Sequence, residues 1–208
     1  MNEIKTICVF CGSSSGESKI YAEAAKDLGK LMVNEGITLV YGGAKVGLMG
    51  IIADEVLALG GKTIGVIPDF FSDKEIAHTQ LTELIYVKSM AERKAILAEL
   101  SDAFIAMPGG FGTLDELFEM MTSSQLDLHK KPVGILNVNH FYNSLIAQVD
   151  LMQAEQFMKP VHRQMLLDDE NPIHLIEKMR NYQPPSQEKW IRKIKNGTLS
   201  HKVCKLKS

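Results

Sequence analysis

The stretch SDAFIAMPGGFGTLDELFE, residues 101–119, contains the three parts of one structural unit. A short apolar run, DAFIAM, leads directly into the glycine-rich turn PGGFG, and the residues after the turn have the apolar spacing of a helix. A buried strand that passes through a glycine turn into a helix is the repeating unit of α/β proteins. Such a turn usually receives an anion, because free backbone N–H groups and the positive end of the helix dipole point into it.

The same alternation of apolar run and amphipathic segment extends along the chain in both directions. Apolar runs of this length, separated by helices, are typical of strands that are buried on both faces of a parallel sheet. We therefore predict an α/β fold, a Rossmann-like doubly wound parallel sheet with helices on both faces, in which two or three helices follow the last strand. The predicted strands lie at 4–10, 37–41, 62–67, 84–87, 102–107 and 131–138.

Composition and charge indicate a globular domain followed by a basic tail. The chain has 208 residues, 45% of them hydrophobic and 23% charged, which is ordinary for a protein with one core. No apolar run approaches the length that spans a bilayer, and the first residues lack a signal-peptide pattern, so we expect a cytoplasmic protein. Residues 184–208 contain six lysines, one arginine and one glutamate, a net charge of +6. We predict a single Rossmann-like domain over 1–183 and a basic C-terminal tail over 184–208.

Three loops rich in small residues follow predicted strands: CGSSSG (11–16), YGGAKVGLMG (41–50) and PGGFGT (108–113). In parallel sheets ligands bind at the carboxyl ends of the strands, so we expect these loops to meet at one edge of the sheet. The pattern GxxxxGK[ST] is absent, and no GxGxxG follows the first strand, which argues against a P-loop NTPase and an NAD-dependent dehydrogenase.

Cys8 and Cys11 form a C-x-x-C pattern, which occurs in zinc sites and redox proteins. No second pair of metal ligands follows at zinc-site spacing, and Cys8 lies inside a predicted strand. We therefore predict that both cysteines are structural, and nothing in the sequence suggests a metal or redox cofactor.

The segment Thr113-Leu-Asp-Glu116 has the pattern of a capping box, in which Thr113 caps a helix and Glu116 reaches back to the cap N–H. On that interpretation Glu116 is only part of a well-formed helix start. The three glycines at 109–112 favour a binding loop instead, because an ordinary turn from strand to helix needs only one special glycine.

A second capping-box pattern, Ser89-Met-Ala-Glu92, comes before the strand of the opening stretch. It places Arg93 and Lys94 about one turn into a helix, beside the carboxyl edge of the sheet. Two adjacent cations on an amphipathic helix are most often solvated. The functional alternative is a clamp for a phosphate or a carboxylate.

PGGFGTLDE, with MAERKAIL (90–97) before it, resembles the P-G-G-x-G-T-x-x-E signature of the Lonely Guy (LOG) family, the cytokinin-activating phosphoribohydrolases. CGSSSG, GVIP, KEIAHTQLTEL and QLDLHKKPVGILNV resemble further blocks of that family, and the resemblance covers about residues 4–180. It implies hydrolysis of the N-glycosidic bond of N6-modified adenosine 5′-monophosphates, and often of AMP, to a free base (a cytokinin or adenine) and ribose 5-phosphate. It also implies a homodimer, for which the apolar face of FYNSLIAQVDLM (141–152) is a candidate surface.

The resemblance implies that the domain over 1–183 is a nucleotide-binding catalytic domain, and it also implies which residues form the site. Arg93 and Glu116 match the catalytic pair of the family. Glycosidic cleavage passes through an oxocarbenium-like state, which Glu116 would stabilise, or Glu116 would activate water. Arg93 would position the phosphate or assist departure of the base. The positions that match substrate contacts are Glu75, Lys94, Gly109, Gly110, Phe111, Gly112, Thr113, Leu114, Asp115 and Thr122.

Three residues depart from the usual family pattern. Phe111, Ser123 and Asp127 stand where tyrosine, tryptophan and glycine are common, which leaves the preferred base open.

Other functions compete with the hydrolase. Rossmann-like proteins that carry molybdenum cofactor resemble this chain in their glycine loops, so the alternative is a non-catalytic carrier of a nucleotide or of molybdenum cofactor. The joint presence of Arg93 and Glu116 favours the hydrolase, because a carrier does not need that carboxylate. Lysine decarboxylation, an older label of the family, would need pyridoxal phosphate on a lysine in a larger scaffold. A basic tail is more often a solvated chain end than a binding element, so we expect neither a nucleic acid nor a membrane partner.

Overall fold

The computed structural model describes residues 2–74 and 76–185, so Glu75 and the predicted tail from residue 186 onward lie outside the described residues. The strands are β1 (Thr6–Phe10), β2 (Thr38–Tyr41), β3 (Thr63–Pro68), β4 (Glu83–Val87), β5 (Ala103–Ala106), β6 (Val133–Leu136) and β7 (Leu166–Asp169). The helices are α1 (Lys19–Asn34), α2 (Gly47–Ala58), α3 (Met90–Leu100), α4 (Phe111–Gln125), α5 (Asn143–Ala154), α6 (Pro160–Arg163) and α7 (Pro172–Asn181), with 3₁₀ helices at Asp69–Lys74 and Val138–His140. None of the helices in the described ranges has the length and apolar character needed to cross a bilayer.

The strands form one parallel sheet in the order β4-β3-β2-β1-β5-β6-β7. The chain moves outward from the central strand β1 to β4 and then returns to β5, on the other side of β1. The loops after β1 and β5 therefore diverge, and the crevice between such loops is where doubly wound sheets bind ligands. These features confirm the predicted α/β fold.

Alternate residues of β1 face two separate cores. Ile7 and Val9 belong to a cluster that α1, α2 and α7 cover, whereas Cys8 and Phe10 belong to a cluster under α3, α4 and α5. Strands that are buried on both faces need apolar residues at every position, which explains why they are visible in the sequence as continuous apolar runs. Cys8 and Cys11 are buried free thiols in different clusters, so the two do not face a common site.

The seventh strand was missed by the sequence analysis, which expected only helices after residue 138. The sequence of β7 is LLDD, and only its first residue is fully buried. As an edge strand, β7 pairs on one side only and tolerates polar residues, and its LLDD sequence lacks the continuous apolar run that marks the inner strands. The six predicted strands all have observed counterparts, and their bounds differ by one or two residues.

The apolar face of α5 was a candidate for a dimer surface. Val149 is only 4% exposed and lies in the cluster under α3, α4 and α5, and Leu145 packs against the same cluster. Most of this face therefore covers the sheet of its own chain, whereas Leu151 is half exposed.

The hydroxyl of Tyr41, at the end of β2, is buried and has no hydrogen-bond partner among the described residues. Leaving a buried hydroxyl unsatisfied costs free energy, so we expect Tyr41→Phe to raise the free energy of unfolding by about 1 kcal/mol. Tyr142→Phe is the matched control, because the buried Tyr142 hydroxyl donates to the carbonyl of Met107 at 2.7 Å. Urea denaturation should show a loss of about 1 kcal/mol for that control, and a loss for Tyr41→Phe as well would contradict the prediction.

Candidate active site

The loops after β1, β2 and β5 meet at the carboxyl edge of the sheet. The amide of Gly12 donates to the carbonyl of Pro108 at 3.0 Å, and the amide of Leu48 donates to the carbonyl of Gly12 at 3.0 Å. Gly47 has a φ of +58°, and a Cβ there would overlap the backbone of Ser13. These contacts confirm that the three glycine-containing loops converge, as their positions after strands predicted.

Helix α3 begins with the predicted capping box. The hydroxyl of Ser89 accepts a hydrogen bond from the amide of Glu92 at 3.1 Å. The carboxylate of Glu92 reaches back to the amide of Lys88 at 2.8 Å, one residue before the cap. This start fixes the first turn of α3 and holds Arg93 at the carboxyl edge of the sheet.

Arg93 and Glu116 form a buried ion pair between α3 and α4. Nη1 of Arg93 lies 2.6 Å from Oε1 of Glu116, and each side chain is 11% exposed. Nε of Arg93 donates to the carbonyl of Val66 at 3.0 Å, so β3 also fixes the orientation of the guanidinium. A Cβ at Gly42 would overlap the guanidinium, which therefore lies directly against the loop after β2.

The environment of Glu116 changes its acidity in two opposing ways. Burial raises the pKa of Glu116, whereas the charge and the hydrogen bond of Arg93 lower it, and the net result is a pKa above the usual range. A buried carboxyl with a raised pKa beside a cation is typical of acid–base and charge-stabilising groups in active sites.

The start of α4 differs from the capping-box alternative for Thr113 and Glu116. The helix begins at Phe111 with Gly110 as its N-cap, and no side chain caps it. Thr113 is the third residue of the helix and is buried, and Glu116 pairs with Arg93 instead of reaching back. The structure therefore rules out the capping-box alternative for Thr113 and Glu116. The amides of the first turn have no acceptor within the helix, so they can bind an anion.

The glycines of this loop have two different roles. A Cβ at Gly109 would overlap Thr113 and lie 2.9 Å from the amide of Gly12, so this glycine is required by packing. A Cβ at Gly110 or Gly112 would meet nothing within 4 Å. Protein packing therefore does not require these two glycines, and the lack of side chains there leaves space over the first turn of α4.

A cavity of about 250 Å³ lies in front of the Arg93–Glu116 pair and the first turn of α4. Five residues that line it were not predicted as site residues: Cys11, Gly12, Ser13, Met49 and Met90. A neighbouring cavity of about 300 Å³ shares Gly12, Ser13 and Gly110 with it, so the cleft continues towards β5. Gly12 and Ser13 belong to CGSSSG (11–16), and the small residues of that loop were the feature of the sequence that indicated its part in the site.

The family model and the similar protein sequences indicate one family. The sequence model of a family described as "Possible lysine decarboxylase" matches residues 49–179. Cytokinin riboside 5′-monophosphate phosphoribohydrolase LOG5 of Arabidopsis thaliana is 44% identical over 183 residues, 88% of this chain and 80% of that protein. LOG7 of the same plant is 44% identical over 187 residues, 90% of this chain and 86% of that protein. The chain belongs to the LOG family.

Solved structures similar to this LOG-family chain show the fold alone. The molybdenum cofactor binding protein of Rippkaea orientalis superimposes with a TM-score of 0.65 at 22% identity, over 86% of this chain and 97% of that one. The Moco carrier protein of Chlamydomonas reinhardtii has a TM-score of 0.63 at 21% identity, over 86% and 97% of the two chains.

Lys94 lies beside the Arg93–Glu116 pair but is already paired. Its ammonium lies 3.1 Å from the carboxylate of Asp115 and also contacts the carboxylate of Glu119. The hydrogen bond to Glu119 is the main reason that the pKa of Lys94 lies above its usual value. The two carboxylates balance its charge and join α3 to α4.

Two other predicted contacts, Leu114 and Thr122, do not reach the cavity by their side chains. Leu114 packs against the core under α3, α4 and α5. The hydroxyl of Thr122 donates to the carbonyl of Phe118 at 2.8 Å on the exposed face of α4, beyond Glu116. Glu75 lies outside the described residues. Among the described residues, no group of three or more His, Cys, Asp or Glu could hold a metal ion.

Proposed function

We propose that this LOG-family chain hydrolyses the N-glycosidic bond of cytokinin riboside 5′-monophosphates, and of AMP, to the free base and ribose 5-phosphate. The observation that carries the proposal is the Arg93–Glu116 pair, which is buried and lies beside the uncapped start of α4. The names of the similar plant proteins support the same reaction.

The proposal gives a separate task to each part of the site. The amides of Phe111, Gly112 and Thr113, at the uncapped start of α4, bind the 5′-phosphate, because they are free donors at the positive end of the helix dipole. Glu116 faces the ribose from the next turn of the same helix. Its carboxylate stabilises the positive charge that develops at the anomeric carbon, or takes a proton from the attacking water. The guanidinium of Arg93 holds this carboxylate in place.

A carrier of nucleotide or of molybdenum cofactor is the second candidate function, and the likeness to molybdenum cofactor proteins favours it. That likeness concerns the fold only, and one fold supports many functions. A buried carboxylate beside a phosphate site weakens the binding of an anion, so a carrier gains nothing from Glu116. A hydrolase needs a carboxylate at this place.

We also propose that the chain forms a homodimer. Apolar side chains are exposed on and after α4: Phe111 is 94% exposed at its start, and Leu126 and Leu128 are 51% and 74% exposed after its end. Exposed apolar residues close to a functional site often mark an interface with a protein.

The test of the reaction is a cofactor-free incubation with AMP and with N6-isopentenyl-AMP, followed by chromatographic separation of the products. We expect one free base and one ribose 5-phosphate for each nucleotide consumed. Adenosine, which lacks the phosphate, should be cleaved far more slowly, because the start of α4 then has no anion to bind. A protein that binds AMP tightly and releases no base from either nucleotide would be a carrier.

A further inference from the structure

The chain between β3 and β4 crosses the carboxyl end of β2 and is fastened there by its backbone. Ala77 forms an antiparallel bridge with Ala44 in the loop after β2. The amide of Lys45 donates to the carbonyl of Ile76 at 2.8 Å, and the amide of His78 donates to the carbonyl of Gly43 at 2.9 Å. Residues 76–78 therefore form a short strap over the loop after β2.

The side chain of His78 anchors this strap to α2. His78 is 5% exposed, and its Nε2 lies 2.9 Å from Oδ1 of Asp54. Its Nδ1 accepts from the amide of Gln80 at 3.4 Å. The tautomer with hydrogen on Nε2 satisfies both contacts, so both ring nitrogens are used and the ring has one orientation.

The loop under this strap also contacts Arg93. Gly42 lies directly against the guanidinium, because a Cβ there would overlap it. The next residue, Gly43, has a φ of +74° and packs against β3, where Val66 accepts from Nε of Arg93 at 3.0 Å. The loop after β2 therefore lies between the strap on one side and the guanidinium on the other.

We propose that His78 is a positioning residue for the reaction. Its side chain, which is held by Asp54, fixes the strap, and the strap's backbone holds the loop against which Arg93 lies. In this way His78 sets where the guanidinium meets Glu116. His78 does not itself touch the cavity in front of Glu116. The kinetic part of this inference rests on the proposed hydrolase function.

The kinetic test compares His78→Ala with His78→Gln and uses AMP as the substrate. Small misplacements of a catalytic group cost up to about 10²-fold in rate, so we expect His78→Ala to lower kcat by about 10- to 100-fold with little change in KM. The amide nitrogen of glutamine can take the place of Nε2, so His78→Gln should recover most of kcat. Asp54→Ala should behave like His78→Ala.

A double variant separates positioning from a general loss of stability. If His78 acts through Arg93, then His78→Ala should cost less than about threefold in kcat when Arg93 is already lysine, because coupled residues are not additive. Thr82→Val is the matched control, since the Thr82 hydroxyl accepts from the Thr63 amide at 3.1 Å at the far end of the same segment. It should lower Tm and leave kcat unchanged.

A spectroscopic measurement makes the inference independent of turnover. The ¹⁵N–¹H signal of the Arg93 Nε–H group is identified by its loss in Arg93→Lys, and we expect it to move or broaden in His78→Ala but not in Thr82→Val. An unmoved signal together with an unchanged kcat would overturn the positioning role while the hydrolase stands. A moved signal in a protein without turnover would support the positioning role and contradict the proposed function.

Discussion

Glu116→Gln is expected to release free base from AMP about 10³-fold more slowly than the wild-type protein, a typical loss for a group that transfers protons or stabilises charge in the transition state. Glutamine has the same size, and its amide oxygen can still accept the hydrogen bond that Arg93 donates from Nη1 at 2.6 Å. It carries no negative charge and cannot take a proton from water. The loss should therefore appear in kcat, as measured by chromatography of the released base.

The control for this variant is Glu99→Gln, which removes the same charge from an exposed position on α3. That protein should turn over at the wild-type rate. AMP should bind to Glu116→Gln at least as tightly as to the wild type, because a negative group beside the phosphate has been removed. A Glu116→Gln protein with wild-type kcat would exclude the catalytic role of this carboxyl.

The raised pKa of Glu116 also predicts how stability depends on pH. The pKa is above the usual range because burial disfavours the charged form more than Arg93 favours it. The folded protein therefore binds this proton more tightly than the unfolded chain. Glu116 makes its largest contribution to the free energy of unfolding below the pKa that it has in the unfolded chain. This contribution is lost as pH rises through the pKa that Glu116 has in the folded protein. Urea denaturation at a series of pH values should show that the wild type loses stability relative to Glu116→Gln as pH rises through the folded pKa of Glu116.

Much of the fold could be predicted because its inner strands are buried on both faces. Each strand of this kind, such as ITLVY (37–41), is a continuous apolar run between polar or glycine-rich segments. β7 could not be found in this way, because LLDD lies at the edge of the sheet and has only two apolar residues. An edge strand is held by hydrogen bonds to a single adjacent strand, and the sequence alone does not show which segment pairs with that strand.

The site was only partly predictable, because local pattern and tertiary contact compete for the same residues. The segment from Thr113 to Glu116 fits a capping box by spacing alone. In the structure, however, Gly110 is the N-cap of the helix, and the carboxylate of Glu116 accepts from Arg93, 23 residues earlier. The sequence alone does not show that contact. Lys94 shows the same limit, since its pairing with Asp115 depends on how α3 lies beside α4.

Arg93→Met is expected to lower kcat/KM by at least about 10²-fold, because the guanidinium holds the carboxylate in its catalytic position. It should also lower the free energy of unfolding by about 3 kcal/mol at neutral pH, since Glu116 is then buried without its partner. Combining it with Glu116→Gln should restore most of that stability but none of the activity. Arg180→Met, which removes an exposed pair with Glu35, is the control and should leave kcat/KM unchanged.

Two properties of Arg93→Met test the role of Arg93: the pH dependence of kcat/KM, and whether the loss appears in KM or in kcat. The second separates the two tasks considered for this residue, which are positioning the phosphate and assisting departure of the base. Arg93 lowers the pKa of Glu116, so its removal raises that pKa further. If the ionised carboxyl is the active form, the acid limb of kcat/KM moves to higher pH and part of the loss is recovered under alkaline conditions. A guanidinium that binds the phosphate would show its loss mainly in KM, whereas one that assists departure of the base would show it in kcat. If Arg93→Met kept the wild-type kcat/KM, Arg93 would have neither task, because each of them requires the guanidinium.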